Sequence, residues 1–285
     1  MRLSGRVALV TGATRGVGRG IAVALGAEGA TVYLTGRTRT PPDHALGGSL
    51  EETAAEIEAR GGRAVQCVCD HANDDDVRAV VKAIGDAHDR LDILVNNVFA
   101  IPSGPMFDTP FWEQPIGFWD RMHTVGLRSH YVASVLCAPL LLAARGDEEG
   151  ALIANISSFG GASYQVNVAY GVGKAGVDRL ARDMARDLRP HGVCSVSLYP
   201  GIVRTERVLA GELPFSTDTS ESPEFTGRAI AALALVPERM KKTGKTLVVA
   251  ELAREYGFTD LDGTQPASLR APKPTSPQPP REKTP

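Results

Sequence analysis

The chain has 285 residues, 43 % of them apolar, with a formal net charge of −2. That length supports one large α/β domain or two small ones with a sizeable core, and the even charge gives no electrostatic basis for nucleic acid or an anionic membrane surface as partner. The four cysteines, Cys67, Cys69, Cys137 and Cys194, form no Cys-x-x-Cys pair and the six histidines show no ligand spacing, so the sequence reads as a cytoplasmic protein with reduced thiols, no disulfide framework and no metal.

The amino terminus "MRLSGRVALV" lacks the apolar core of a signal peptide and runs straight into a first strand, Val7–Thr11. The strand leads into "TGATRGVGRGIAVALGAEGA", in which Gly12, Gly16 and Gly18 are spaced Gly-x-x-x-Gly-x-Gly before an amphipathic helix. Glycines let a strand-to-helix turn approach a pyrophosphate closely, and the helix N-terminus supplies N–H donors and the positive end of a dipole. A second strand, Thr31–Thr35, is followed by Gly36 and Arg37 where an NAD site usually places an acid for the ribose 2′-hydroxyl. With Arg15 inside the glycine turn, two guanidiniums suit a 2′-phosphate, which predicts NADP(H) over NAD(H).

A third strand, Ala64–Cys69, ends at Asp70, and Asn73 with the Asp74–Asp76 cluster opens the next helix. After the fourth strand, Leu91–Asn96, come Phe99, Phe107, Phe111, Trp112 and Phe118, which either wall an apolar substrate or cover a loop. The following helix ends in "VLCAPLLLAA" (Val135–Ala144), an apolar run too short to span a bilayer and expected to bend at Pro139. The fifth strand, Ala151–Ser157, precedes Tyr170 and Lys174, four apart at the head of a helix. The sixth strand, Val193–Tyr199, runs into "PGIVRT" (Pro200–Thr205) and a long polar segment, Arg207–Pro223, suited to a substrate lid. Ser222 and Pro223 start another helix before the seventh strand, Thr246–Ala250.

Seven short apolar runs alternating with helices predict a mainly parallel sheet covered on both faces. Right-handed crossovers make this a Rossmann-type, doubly wound, three-layer α/β/α fold. No internal repeat or second domain is visible, so residues 1–262 are expected as one NADP(H)-binding domain. Residues 263–285, rich in Pro, Ser and Thr, are expected as a disordered tail.

These motifs, with "NN" at Asn96–Asn97 and "ISS" at Ile156–Ser158, resemble the short-chain dehydrogenase/reductase family across nearly the whole ordered chain. "FWEQP", "VGLRSHY", "YGVGKAGVDRLA", "YPGIVRTE" and "LAREYGFTDLDG" are similar to its dehydrogenase/reductase SDR family member 1 subgroup. The resemblance implies an oxidoreductase that moves hydride between NADP(H) and a carbonyl or alcohol, a carbonyl reductase or alcohol dehydrogenase acting on the CH–OH group. Its cofactor would be lined by Gly12, Arg15, Gly16, Val17, Gly18, Arg37, Asp70 at the adenine, Asn96 in the cleft, Tyr170, Lys174 at the ribose, and Pro200, Gly201, Val203 and Thr205 beside the nicotinamide. It also implies a homodimer or homotetramer built through Ala138–Ala144 and Leu180–Leu188.

The expected reacting set is Ser158, Tyr170 and Lys174. A free tyrosine has a pKa of about 10 and is a poor acid–base catalyst near pH 7. A lysine ammonium one helical turn away favours the phenolate, and a full shift to 7 needs about 4 kcal/mol. Ser158 matches the family's motif position but lies twelve residues before Tyr170, where thirteen is common and Ser157 has that count. Ser158 is expected to orient the substrate oxygen, because the strand end fixes its direction and a shorter loop absorbs one deletion, and strand parity argues against both serines facing one cleft. Two departures from the family pattern stand out: Val98-Phe99 where Ala-Gly is common, and Gly126 where the long helix usually carries asparagine. Gly126 is expected to tolerate a helix irregularity and keep a backbone carbonyl for a water leading to the lysine. The alternative is a dinucleotide-binding protein with weak or lost catalysis. An epimerase or dehydratase using the same pair is a third reading, although such proteins usually carry a further sugar-nucleotide domain.

Overall fold

The computed structural model describes residues 1–41, 46–104, 106–107, 109–144, 150–213 and 216–270. The elements run β1 (Val7–Val10), α1 (Gly16–Ala27), β2 (Thr31–Gly36), α2 (Leu50–Ala59), β3 (Arg63–Val68), α3 (Asp74–His88) and β4 (Ile93–Asn96). They continue α4 (Ile116–His123), a π-helical turn (Thr124–Arg128), α5 (Ser129–Ala143), β5 (Leu152–Ile156), α6 (Val168–Leu188) and β6 (Cys194–Tyr199). The last are α7 (Glu206–Leu209), α8 (Pro223–Leu235), β7 (Thr246–Val248) and α9 (Val249–Tyr256).

Among the described residues, seven strands form one sheet in the order β3-β2-β1-β4-β5-β6-β7, and every pairing is parallel. Val10 pairs with Leu34 on one side and Val95 on the other. Sheet growth therefore reverses at β1, and a crevice opens between the carboxyl ends of β1 and β4, where open α/β sheets bind ligands. One apolar layer, including Ile21, Leu25, Phe225 and Ile230, packs α1 and α8 on one face. The other, including Ile84, Cys137 and Leu141, packs α3 and α5 on the opposite face.

Local chemistry sets the helix starts. Ser49 caps α2, accepting from Glu52 N–H at 3.1 Å, with Glu51 and Glu52 in the first turn. Asn73 caps α3 as the sequence predicts, accepting from Asp75 N–H at 3.1 Å. Asn167 caps α6, accepting from Tyr170 N–H at 2.8 Å, which fixes the rotation of the helix bearing Tyr170 and Lys174.

Some expectations are corrected. The seventh strand ends at Val248, because Val249, Leu252 and Ala253 repeat at helical spacing and bury one face of α9. Pro139 lies inside α5, which runs on to Ala143. With α4 and the π turn, α5 forms a rod from Ile116 to Ala143, far longer than the apolar run read from sequence. By length and composition this rod is long and apolar enough to cross a membrane. Its Ser129, His130, Ser134, Cys137 and Leu141 are buried against the rest of the domain. Residues 264–270 are tied to α9, with Gln265 donating to Ala253 O at 3.0 Å and Arg270 to Glu251 at 2.8 Å. The remainder of the expected tail, 271–285, lies outside the described residues.

Candidate active site

The carboxyl ends of β1, β4, β5 and β6 converge on one crevice. At its floor, Thr11 Oγ1 accepts from the N–H groups of Asn97 (2.9 Å) and Val98 (3.1 Å), tying the end of β1 to the end of β4. Gly12 takes the left-handed conformation at φ +70°, and a Cβ on Gly18 would lie 2.1 Å from Gly12 O, so only glycine lets α1 enter this close to the turn. Val17 packs into the core beneath. The Gly16 N–H donates to Glu206 Oε2 at 2.9 Å. An anionic oxygen thus already sits on the N-terminus of α1, and the turn fits a group such as a pyrophosphate.

Arg15 is the residue preceding α1. Burial lowers its pKa, Glu206 opposes the fall, and the nearby guanidiniums of Arg207 and Arg37 add to it. Arg15 and Arg37 therefore lie close enough to feel each other, with Arg37 exposed just beyond β2. Asp70 follows β3 as expected, and its Oδ1 accepts from Ala72 N–H at 3.0 Å in a local turn.

Asn96 differs from expectation. Its side chain is fully buried and donates to Ser134 Oγ (3.0 Å) and Asn155 Oδ1 (2.9 Å), bracing the sheet against α5 instead of presenting its amide to the cleft. Asn97 is the residue that reaches the glycine turn, donating from Nδ2 to Thr11 O (2.8 Å) and Gly12 O (3.1 Å). The "NN" pair signalled the place, but not which amide turns which way.

After β6, Pro200 is buried and Gly201 lies against Glu221, whose Oε2 would be 2.8 Å from a Cβ there. Val203 bridges to Glu221, and Thr205 caps α7, its methyl 3.3 Å from where a Gly16 Cβ would stand. This segment thus crosses from β6 to the glycine turn. Burial pushes the Glu221 carboxyl up to about 8.

Ser158, Tyr170 and Lys174 come together above β5. Ser158 Oγ and Tyr170 OH share a hydrogen bond of 2.8 Å. Ser157 turns the other way, donating to Lys174 O at 3.1 Å in the interior. Lys174 Nζ donates to Ile156 O at 3.1 Å and lies 5.8 Å from the centroid of the Tyr170 ring. Burial raises the Tyr170 phenol above its ordinary value, and the Ser158 bond opposes that rise. Burial also pushes Lys174 down to about 8, with Asp178 opposing. Burial thus favours the neutral form of both groups. Asp178, at the same four-residue spacing beyond Lys174, accepts from Ser197 Oγ at 2.5 Å and from the Tyr199 hydroxyl. That spacing was readable in the sequence.

The aromatic segment divides. Phe118 is buried with Met106, Met122 and Val166, and Phe99, Phe107 and Tyr170 pack against that cluster. Phe111 and Trp112 are exposed. A cavity of about 200 Å³ adjoins the cluster at Phe107 and Val166. A second cavity, of about 350 Å³ between α1 and α8, holds none of these residues, and the convergence of reactive groups places the candidate site in the crevice instead.

The expectation that Gly126 tolerates a helix irregularity is met, and Phe99 stands beside it. The helix is irregular there, with the π turn centred on Gly126. The space beside it is filled by Phe99: a Gly126 Cβ would lie 2.5 Å from Phe99 Cδ2.

A parallel sheet with a glycine turn at its switch point and a Ser–Tyr–Lys cluster beside it defines the class of NAD(P)-dependent α/β oxidoreductases. A family model for short chain dehydrogenases matches residues 6–210, and the chain belongs to the short-chain dehydrogenase/reductase family. It is 42 % identical to dehydrogenase/reductase SDR family member 1 of Mus musculus over 92 % of this chain and 85 % of that protein. Among solved structures it superposes on a short chain dehydrogenase of Mycobacterium thermoresistibile with a TM-score of 0.77, at 29 % identity over 93 % of each chain. It also superposes on a metagenomic short-chain oxidoreductase in complex with NADP with a TM-score of 0.70, at 30 % identity over 87 % of this chain and 98 % of that one.

Proposed function

We propose that this protein is an NADP(H)-dependent oxidoreductase of carbonyl reductase or alcohol dehydrogenase type. The observation that carries the reading is the 2.8 Å bond between Ser158 Oγ and Tyr170 OH with Lys174 buried beneath. A carbonyl oxygen taking the place between the two hydroxyls receives a hydrogen bond from Ser158 and a proton from Tyr170. The reverse reaction returns the proton to Tyr170. Lys174 keeps most of its charge at pH 7, since its pKa is about 8, and favours the phenolate that the transfer leaves behind. When bound, the nicotinamide supplies or accepts the hydride. Gly12, Gly16, Val17 and Gly18 would hold the pyrophosphate, Asp70 the adenine, Lys174 the ribose, and the Pro200–Thr205 segment with Gly201 and Val203 the nicotinamide.

The guanidiniums of Arg15 and Arg37 support NADP(H), since together they match a 2′-phosphate. The NADP complex of the metagenomic relative supports it too. The apolar cluster around Phe107 and Phe118 supports an apolar carbonyl compound. Tyr131 and Val135 on α5 and Val168 and Val172 on α6 are exposed apolar side chains, which supports a homodimer or homotetramer. We place the activity in the cytoplasm, in keeping with the reduced thiols.

The test is NADPH oxidation with a panel of ketones, aldehydes and quinones, beside Tyr170→Phe. Turnover by the parent, reduced at least about 10²-fold in the variant, is expected. NADP(H) binding without turnover of any compound would establish the dinucleotide-binding alternative. Michaelis constants for NADPH should lie below those for NADH, and Arg37→Ala should erase most of the difference; equal use of NADH by the parent defeats the cofactor assignment.

A further inference from the structure

Phe99 stands where the family resemblance expects glycine, Gly126 where it expects asparagine, and the two substitutions meet in space. The Phe99 ring lies against the bare backbone of Gly126, where a Cβ would come within 2.5 Å of Cδ2 and 2.8 Å of Cε2. The face of the same ring carries Lys174 Nζ 4.8 Å from its centroid. The ring also meets Tyr170 at 87°, with centroids 5.8 Å apart. One side chain thus touches the π turn and both members of the Tyr–Lys pair.

We propose that Phe99 is a positioning residue for Lys174, its ring face seating the ammonium and its body filling the hollow beside Gly126. The proposal rests on the oxidoreductase reading of this site. A buried ammonium needs compensation, and an aromatic face supplies it without a hydrogen-bond direction. The other groups near Lys174 compensate it only in part. On α6, burial keeps Tyr170 toward its neutral phenol, and Asp178, which favours the ammonium, also accepts from Ser197 and Tyr199. On α5, burial pushes His130 down to about 3, so it stays neutral and donates to Val98 O at 3.1 Å, beside Phe99. On α4, His123 lies against Gly173 with Nδ1 at Trp119 O. On β5, Ile156 contributes one carbonyl.

The experiment reads the ammonium directly. The chain has seven lysines, so [ε-¹³C]lysine NMR of the full-length, cofactor-free protein resolves them, and Lys174→Arg identifies the signal. The Lys174 midpoint is expected near 8 in the parent. In Phe99→Leu, which keeps the site dry but removes the ring, it should fall by about half to one pH unit. In Phe99→Tyr, which keeps the ring face, it should stay put. An unchanged midpoint in a Phe99→Leu protein whose thermal melt matches the parent overturns the proposal; should that variant fail to fold, Phe99→Met is read by the same criterion. The high-pH limb of kcat for carbonyl reduction should follow the NMR midpoint across the variants, and a limb that ignores a shifted midpoint also overturns it. A parent without turnover on any carbonyl defeats the oxidoreductase reading, while the titration still decides what Phe99 does to Lys174.

Discussion

Ser157 and Ser158 leave β5 in opposite directions, and their neighbours assign them different work. Ser158→Ala removes the partner of the Tyr170 hydroxyl and should lower kcat by about 10²-fold, a loss comparable to removal of an oxyanion donor. Ser157→Ala removes a buried bond to Lys174 O and should cost about 1 kcal/mol of stability, with turnover far less affected. Kinetics and urea unfolding on both variants check the assignment, and a larger kcat loss for Ser157→Ala reverses it. Strand parity made the divergence of the two serines readable from sequence, and the family's motif position pointed to Ser158. The Asn96–Asn97 pair could not be resolved the same way, since both side chains have identical chemistry. Only the approach of β1 to β4 gives Asn97 the carbonyls of Thr11 and Gly12 while leaving Asn96 to Ser134 and Asn155. Phe99 was visible as a departure, but its partner lay 27 positions along the chain, beyond any local pattern.

The rod from α4 through the π turn to α5 sets what position 126 accepts. Gly126→Asn would drive its Cβ into the Phe99 ring, so the variant should be destabilised by about 1–3 kcal/mol and lose activity. Adding Phe99→Ala should recover much of the lost stability, giving a clear coupling energy in a double-mutant cycle followed by urea denaturation. Additive losses would show that the two sites do not share that space. Among the elements, the buried parallel strands were legible because each is a short Val-, Ile- and Leu-rich run between helical patterns. The start of α9 was not, because Val248-Val249 continues the β-branched run of β7 while the face buried by Leu252 and Ala253 sets the helix. An irregularity at Gly126 was legible, but its π form was not, since glycine permits an irregularity without specifying which.

Across the whole molecule, buried titratable groups work against each other as pH changes. Burial pushes His71 down to about 4 and His130 down to about 3, so each contributes stability that is present above 6.5 and lost as pH falls below it. Glu221 is the opposite case: its carboxyl is raised to about 8, so its contribution is present below 4.5 and lost as pH rises toward 8. From pH 5 to 7 the two histidines together gain about 4 kcal/mol and Glu221 loses about 2–3, leaving a shallow profile in the parent. Glu221→Gln should uncover the steep histidine slope, as measured by urea unfolding at the two pH values; parallel profiles for parent and variant would refute the assignment. The Glu206 carboxylate on the Gly16 N–H has a kinetic consequence of its own. A phosphate arriving at that donor performs a displacement, not a simple docking, so the apparent affinity is reduced by the fraction of molecules in which α7 holds the place. In stopped flow, the observed rate of NADPH binding should level off with concentration at the speed of that release, and the plateau should rise in Glu206→Gln; release of α7, not diffusion, then sets how fast the protein loads.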